Sequence, residues 1–421
     1  MCTRCQARSP LPDRYPYPTN AWQQPWVNQP PPVAPDEPAW ILGINDVRVH
    51  ASNTSAALVI PPESRIRKGT VVDRLYCNPH WQRDLRTART PLQRKRILKH
   101  IASQCRCTVE NVERAWEEIR SKGYPLHGEN LVDDDLLVAE YQALIHPVPD
   151  LNEGEDFVTE HHSDGWKAMG RTTEGTPLQA IKVVDRLIEV RRLKEVLVLR
   201  GFARLGSEMT NLPPDITHET DWLPALELYG EGVFFTLDER IVSLWEQQPS
   251  LQAHANKLVR RLEHVHVSAL QTDLTPRFLL LHTLAHLIIR QLETEAGYPA
   301  ASLKERIYCE IGKRPMAGIL IYVAVPDEVG SLGGLGEMAL PSRFLRILTD
   351  AWHDATWCSQ DPVCSSHDGR GPHLLNRVAC HACALIPEPS CLFGNILLDR
   401  TFLKRDPKAQ IKSLLDFTGD D

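Results

Sequence analysis

The chain has 421 residues, enough for about two or three domains at roughly 150 residues each. Its content of 42% hydrophobic and 24% charged residues matches globular proteins, which excludes wholesale disorder, collagen-like repeats and low complexity. A net charge of −7 gives no overall pull toward nucleic acid, so basic stretches have to be judged locally.

The start, Met1-Cys2-Thr3-Arg4-Cys5, leads into proline-rich polar sequence and lacks the basic start and apolar core of a signal peptide, which predicts a cytoplasmic protein. In that reducing compartment 11 unevenly clustered cysteines point to metal binding or core thiols, not disulfides. Residues 1–40 form a proline-rich arm with an orphan Cys2-x-x-Cys5 pair, and Gln29 to Pro38 reads as an extended linker. A small basic region over 41–130 follows. Short strands are expected from Trp40 to about Leu75, including Ala57-Leu58-Val59-Ile60 before Pro61 and Pro62.

Between Arg83 and Arg106 eight Lys/Arg stand against one acid, Asp84. Pro91 suits the first turn of a helix running to Ser103, and Thr108 suits the N-cap of a second helix with Val109, Val112, Trp116 and Ile119 on one face. Two such helices are compatible with a helix-turn-helix relative on DNA, although basic helical faces are more often simply solvated.

An α+β middle domain is expected over 131–270. Asp133-Asp134-Asp135 favours a helix N-terminus over a metal site. Residues 148–177 read as loops, and a periodic stretch from Ala180 to Leu193 that mixes apolar and basic residues gives way to a strand at Val196 to Leu199. Glu227 to Phe235 reads as strand, glycine turn, strand, and Asp238 starts a helix through Trp245.

Residues 271–405 form the C-terminal domain, with a polar tail over 406–421. From Pro276 to Glu293 the sequence is apolar nearly all round a helix, the pattern of a buried central element. The apolar run from Phe278 to Ile289 within it is broken by two histidines and falls short of the ~20 residues that span a bilayer, so no membrane passage is expected. Those residues, His282 and His286, share one face at the spacing of zinc-protease helices, but Thr283 stands where such helices carry the catalytic glutamate. Satisfied core histidines are the better reading; a metal-dependent hydrolase or nuclease using His282, His286 and Glu293 is the alternative. Met316 to Val325 reads as a buried strand, Gly330 to Gly336 as a tight turn without P-loop spacing, and Pro341 to Trp352 as an amphipathic helix.

That helix delivers the chain to Cys358, with Cys364 after five residues, Cys380 after fifteen more, Cys383 at Cys-x-x-Cys spacing, and Cys391 after a further seven. Tetrahedral zinc takes a pair of thiolates from each of two turns, and Asp361-Pro362 turns the chain between the first pair. Cys358, Cys364, Cys380 and Cys383 are therefore the expected ligands of a structural zinc ion. Cys391 is a replacement ligand or a buried thiol, and His367 and His381 are substitutes. A dithiol-exchange role for Cys380 and Cys383 lacks a thioredoxin-like frame.

From about Glu140 to Leu403 the sequence resembles the zinc-binding domain of MrfA-type DNA-repair helicases and, more closely, the DrmB component of DISARM anti-phage systems. The shared residues are Gly230 to Phe235, Leu281 to Leu287, Ala301 to Tyr308, Gly318 to Tyr322, Leu332 to Leu335, Trp357-Cys358, Asp361-Pro362, Ala379 to Cys383, Ser390-Cys391 and Leu398-Asp399-Arg400. Pro389 stands where that family commonly has threonine, and the N-terminal portion is shorter, with Cys2 and Cys5 as one half of a split zinc motif. The resemblance implies a non-catalytic subunit that associates with a superfamily-2 helicase (DrmA-like) and engages DNA through the complex. The expectation is thus a multi-domain α+β protein of mixed helices and short sheets, ending in a cysteine-rich zinc-binding domain, that is not an enzyme.

Overall fold

The computed structural model describes residues 15–20, 38–41, 51–61, 63–67, 69–121, 133–151, 155–203, 213–215, 222–262, 273–326, 334–367, 369–404 and 411–418. The expected Cys2/Cys5 pair, the Gln29 to Glu37 linker and Gly330 to Gly333 lie outside them. The chain divides into two units, 1–56 with 197–226, and 57–196 with 227–421. In the first, strands β1 (Tyr15–Asn20) and β2 (Pro38–Ile41) pair antiparallel. Strand β3 spans Ala51–Leu58.

Four helices then build a core of their own: α1 (Val71–Tyr76), α2 (Pro79–Thr87), α3 (Pro91–Cys105) and α4 (Val109–Ser121). Their starts are chemically marked. Thr70, Asn78 and Thr90 each accept an amide hydrogen bond at the N-cap, Pro79 and Pro91 occupy first-turn positions, and Thr108 accepts from Asn111. Leu75, Leu85, Leu98, Ile101, Val112 and Trp116 close the core. Arg83, Arg86, Arg89, Lys95, Arg96 and Lys99 stay exposed on α2, α3 and the turn between them. Helix α4 turns Glu110, Glu113 and Glu117 to solvent together with Arg114 and Arg120, so its outer face carries both signs of charge.

Helix α5 (Asp133–Ile145) begins at the acidic run. Strand β4 (Val158–His161), α6 (Ser163–Met169) and α7 (Gly175–Val183) follow. The expected periodic stretch from Ala180 ends at once, because Val184 starts the 20-residue strand β5 (Val184–Ala203), whose β-branched and apolar residues are interspersed with charge. Strand β6 (Ala225–Leu237) runs uninterrupted where a glycine turn was expected. Its glycines serve close approach. A Cβ on Gly232 would lie 2.6 Å from the Ile321 carbonyl oxygen, and one on Gly230 would collide with the Val323 carbonyl.

Helices α8 (Glu239–Glu246), α9 (Pro249–Leu262) and α10 (Pro276–Ala296) lead to β7 (Leu303–Glu310) and β8 (Met316–Val325). The sheet order is β3-β5-β6-β8-β7, with β4 beside β5; β6, β8 and β7 are antiparallel neighbours. Strand β8 shows how both faces are filled. Ala317, Ile319, Ile321 and Val323 pack with α10, while Met316, Leu320 and Tyr322 pack with α5. Helix α11 (Pro341–Ala355) lies along α10, and α12 (Val363–Ser366) and α13 (Leu414–Thr418) complete the chain. The fold is α+β, as expected.

Buried charges are paired across these layers. Glu140 of α5 accepts from Arg306, Tyr308 and the Leu58 amide, and Glu195 accepts from Lys304 and Tyr322. At the foot of α10, fully buried Arg277 bonds both Glu239 and Glu246 of α8 and the carbonyls of Glu310 and Met316. Removing such a guanidinium strands the carboxylates it serves. Arg277→Met is expected to destabilise the protein by about 3 kcal/mol, the low end for breaking a buried pair because Glu239 keeps some solvent, read as a lowered urea midpoint with unchanged slope.

Candidate metal centre

Beyond α11 the described residues from Thr356 to Lys404 contain only single turns of helix and isolated bridges. Cys358 follows the end of α11, Cys364 sits on α12, and Cys380 and Cys383 share one turn. The Sγ atoms of Cys358 and Cys380 are 3.6 Å apart, those of Cys380 and Cys383 3.7 Å, and those of Cys364 and Cys383 3.9 Å. All four lie within 4.8 Å of one another. A disulfide needs about 2.05 Å. Four thiolates at ~2.3 Å from one tetrahedral ion stand about 3.8 Å apart, so the donor set and spacing fit zinc.

The local turns aim the sulfurs inward. Asp361 accepts the Cys358 amide at 3.0 Å while its own amide bonds the Cys358 carbonyl at 2.9 Å, closing the turn foreseen at Asp361-Pro362. The amides of Gln360 and Cys380 donate to the sulfurs of Cys358 and Cys383. Burial pushes the Cys364 thiol up to about 11 and that of Cys383 higher still. Burial also acts on Cys380, but the Ala382 amide and the surrounding thiols outweigh it and hold that thiol below its ordinary value. An ion entering the cage displaces the protons that burial favours.

Arg400 supplies an independent sign of negative charge. Its guanidinium is fully buried and donates to the carbonyls of Val378, Ala355 and Trp357, with the remaining nitrogen 3.6 Å from the Cys364 sulfur. Among the described residues no carboxylate pairs with it. A buried cation requires a counter-charge, and four thiolates around a divalent ion carry two net negative charges at that position. Its neighbour Asp399 bonds His254 at 2.7 Å and takes its amide's partner from Thr283, the residue standing where a protease would have its glutamate.

The fifth cysteine lies elsewhere. Cys391 Sγ is 3.3 Å from His282 Nε2, in a second enclosed group with His286 and Glu305. Both histidines are fully buried, and Glu293, their expected carboxylate, is exposed. Glu305 was not singled out from sequence. Its only signal is an acid in the middle of a strand whose other residues are mostly buried. His367 and His381 are exposed.

Residues 284–384 match the MrfA Zn-binding domain, so the four thiols close a domain of a known zinc-binding class. Over 235 residues the chain is 38% identical to the DISARM protein DrmB of Bacillus paralicheniformis, a match covering 52% of this chain and 40% of that protein. The chain therefore spans less than half the length of this relative. The resemblance drawn from the C-terminal motifs is thereby established. Arg400→Met is expected to weaken zinc affinity about 10–100-fold, the usual loss for an outer-shell partner, measured by competition with a chromogenic chelator.

Proposed function

We propose that the chain is a non-catalytic zinc-binding component of an anti-phage defence assembly, which associates with a DrmA-like superfamily-2 helicase and engages DNA through that complex. The observation that carries this reading is the closed cage of Cys358, Cys364, Cys380 and Cys383. With every tetrahedral position taken by sulfur, an ion there has no place for water or substrate and serves folding. The similarity to DrmB supplies the defence context. Residues 271–405 are the zinc-binding part, and the cytoplasm, where thiols stay reduced, is the compartment that suits it. No described helix is long and apolar enough to cross a membrane.

Exposed Arg83, Arg86, Arg89, Lys95, Arg96 and Lys99 suit contacts to phosphate, which are salt-sensitive and indifferent to sequence. The alternative of a metal-dependent hydrolase or nuclease loses its footing because His282 and His286 have no exposed surface and Glu293 points to solvent.

The test is to co-purify the chain with a superfamily-2 helicase from the same genome and titrate the complex with duplex DNA at several salt concentrations. Co-elution is expected, and Lys95→Glu/Arg96→Glu/Lys99→Glu should leave it intact while making the log–log salt slope shallower by about 2–3. Elution of the chain alone, or unchanged DNA affinity in the triple variant, would contradict the respective halves of the proposal.

A further inference from the structure

The geometry points to a second metal site, a closed zinc centre made by His282, His286, Glu305 and Cys391, distinct from the four-thiol cage. The four side chains come from three places in the sequence: α10, the middle of β7 and the loop after Ser390. All are buried, the two histidines and Glu305 completely, and their ligand atoms lie within 4.8 Å of one another.

The hydrogen bonds around the group determine which lone pairs face inward. Nδ1 of His282 is 3.2 Å from the Leu397 carbonyl and Nδ1 of His286 is 2.9 Å from the Ala384 carbonyl. A carbonyl only accepts, so both Nδ1 atoms carry the proton, and in the neutral rings both Nε2 atoms present lone pairs. Two of those lone pairs meet carboxylate acceptors, His282 Nε2 at 3.1 Å from Glu305 Oε1 and His286 Nε2 at 3.5 Å from Glu305 Oε2, while the Cys391 thiol, 3.3 Å from His282 Nε2, has one proton to give. His286 Nε2 and Glu305 Oε2 have no hydrogen-bond partner. One proton relieves a single one of these contacts, whereas one divalent ion at the centre satisfies all four donors.

The spacing is also close to that of a coordination shell. Ligands at ~2.0–2.3 Å from a tetrahedral zinc stand about 3.3–3.6 Å apart, against separations here of 3.1, 3.3 and 3.5 Å. Two neutral imidazoles, one carboxylate and one thiolate around a divalent ion sum to zero charge, the state that full burial favours. Ring nitrogens oriented through carbonyls on their far side are the usual outer shell of zinc histidines, and the Asn395 amide donates to the Cys391 sulfur at 3.3 Å. The mixed nitrogen, oxygen and sulfur set suits zinc over calcium or magnesium. With four protein ligands and no exposed face, the centre is structural.

The two centres are joined through one residue. Ala384, whose carbonyl orients His286, directly follows Cys383 of the thiol cage. Arg290, one turn further along α10, holds the carbonyls of Ala382 and Leu385 on either side.

The experiment is metal analysis of the full chain, by elemental quantification and zinc X-ray absorption, with Glu305→Gln as a near-isosteric variant. Two zinc ions per chain are expected, with an average shell of about two to three sulfurs plus nitrogen and oxygen. Glu305→Gln should lower the count to one and raise the average to four sulfurs. One zinc with a pure sulfur shell in the unaltered chain would overturn the second site and leave the thiol cage standing; two zinc ions with sulfur-only shells would overturn it as well. No zinc at all would sink both. If the variant does not fold, the sulfur average of the unaltered protein still decides.

Discussion

The stretch from Thr356 to Lys404 has almost no regular secondary structure to satisfy its backbone, and the organisation of the C-terminal region depends on how that stretch is held. It is also strained. Of the six described non-glycine residues at positive φ, His373, Leu374, Val378, Asn395 and Leu397 lie within it. Each such conformation costs on the order of 1–3 kcal/mol, more for a β-branched residue such as Val378, and persists only where the surroundings over-determine it. A hydrophobic core does not impose that much local geometry, whereas cross-links do. The thiol cage ties Cys358 to Cys380 and Cys364 to Cys383, and Arg400 gathers the carbonyls of Trp357 and Val378 from the same stretch together with that of Ala355 at the end of α11.

Helix α10 is the rigid body against which this stretch is set. One of its faces packs on β7 and β8, and along another a row of polar side chains reaches the irregular segment. His282 bonds the Leu397 carbonyl, Thr283 accepts the Asp399 amide, His286 bonds the Ala384 carbonyl and Arg290 holds those of Ala382 and Leu385. Residues 282, 286 and 290 are spaced one helical turn apart, so they form a single stripe. The buried middle of the helix can carry these polar groups because each meets a main-chain partner. The helix thereby links the sheet to the segment that carries the four cysteines.

Much of this was legible in the sequence because it follows local rules. The cap and proline signals marked α3 and α4, the all-round apolar pattern marked α10, and an unbroken apolar run marked β8 from Met316 to Val325. The cysteine spacing marked four thiols that the fold does bring together. What stayed hidden depends on partners distant in sequence. Gly230 and Gly232 look like a turn until β8 lies against them, and nothing within Glu227 to Phe235 announces that strand. The β5 boundary at Val184 was obscured because a short helix and a long strand share one mixed apolar and basic pattern. Cys391 read as a spare member of the cysteine series, since its neighbours His282 and Glu305 stand 109 and 86 positions earlier (391 minus 282 and 391 minus 305). A lone acid in a strand carries no sign of what it faces.

The central claim is that metal, held by cysteines, maintains the irregular C-terminal segment while the rest of the fold stands without it. Amide hydrogen exchange of the full chain, before and after stripping with a strong chelator and confirmation that the metal is gone, tests this most directly. The account predicts that residues 358–403 lose protection while α1 to α4, with a separate core, keep theirs. Unchanged protection across 358–403 in the metal-free protein would contradict it.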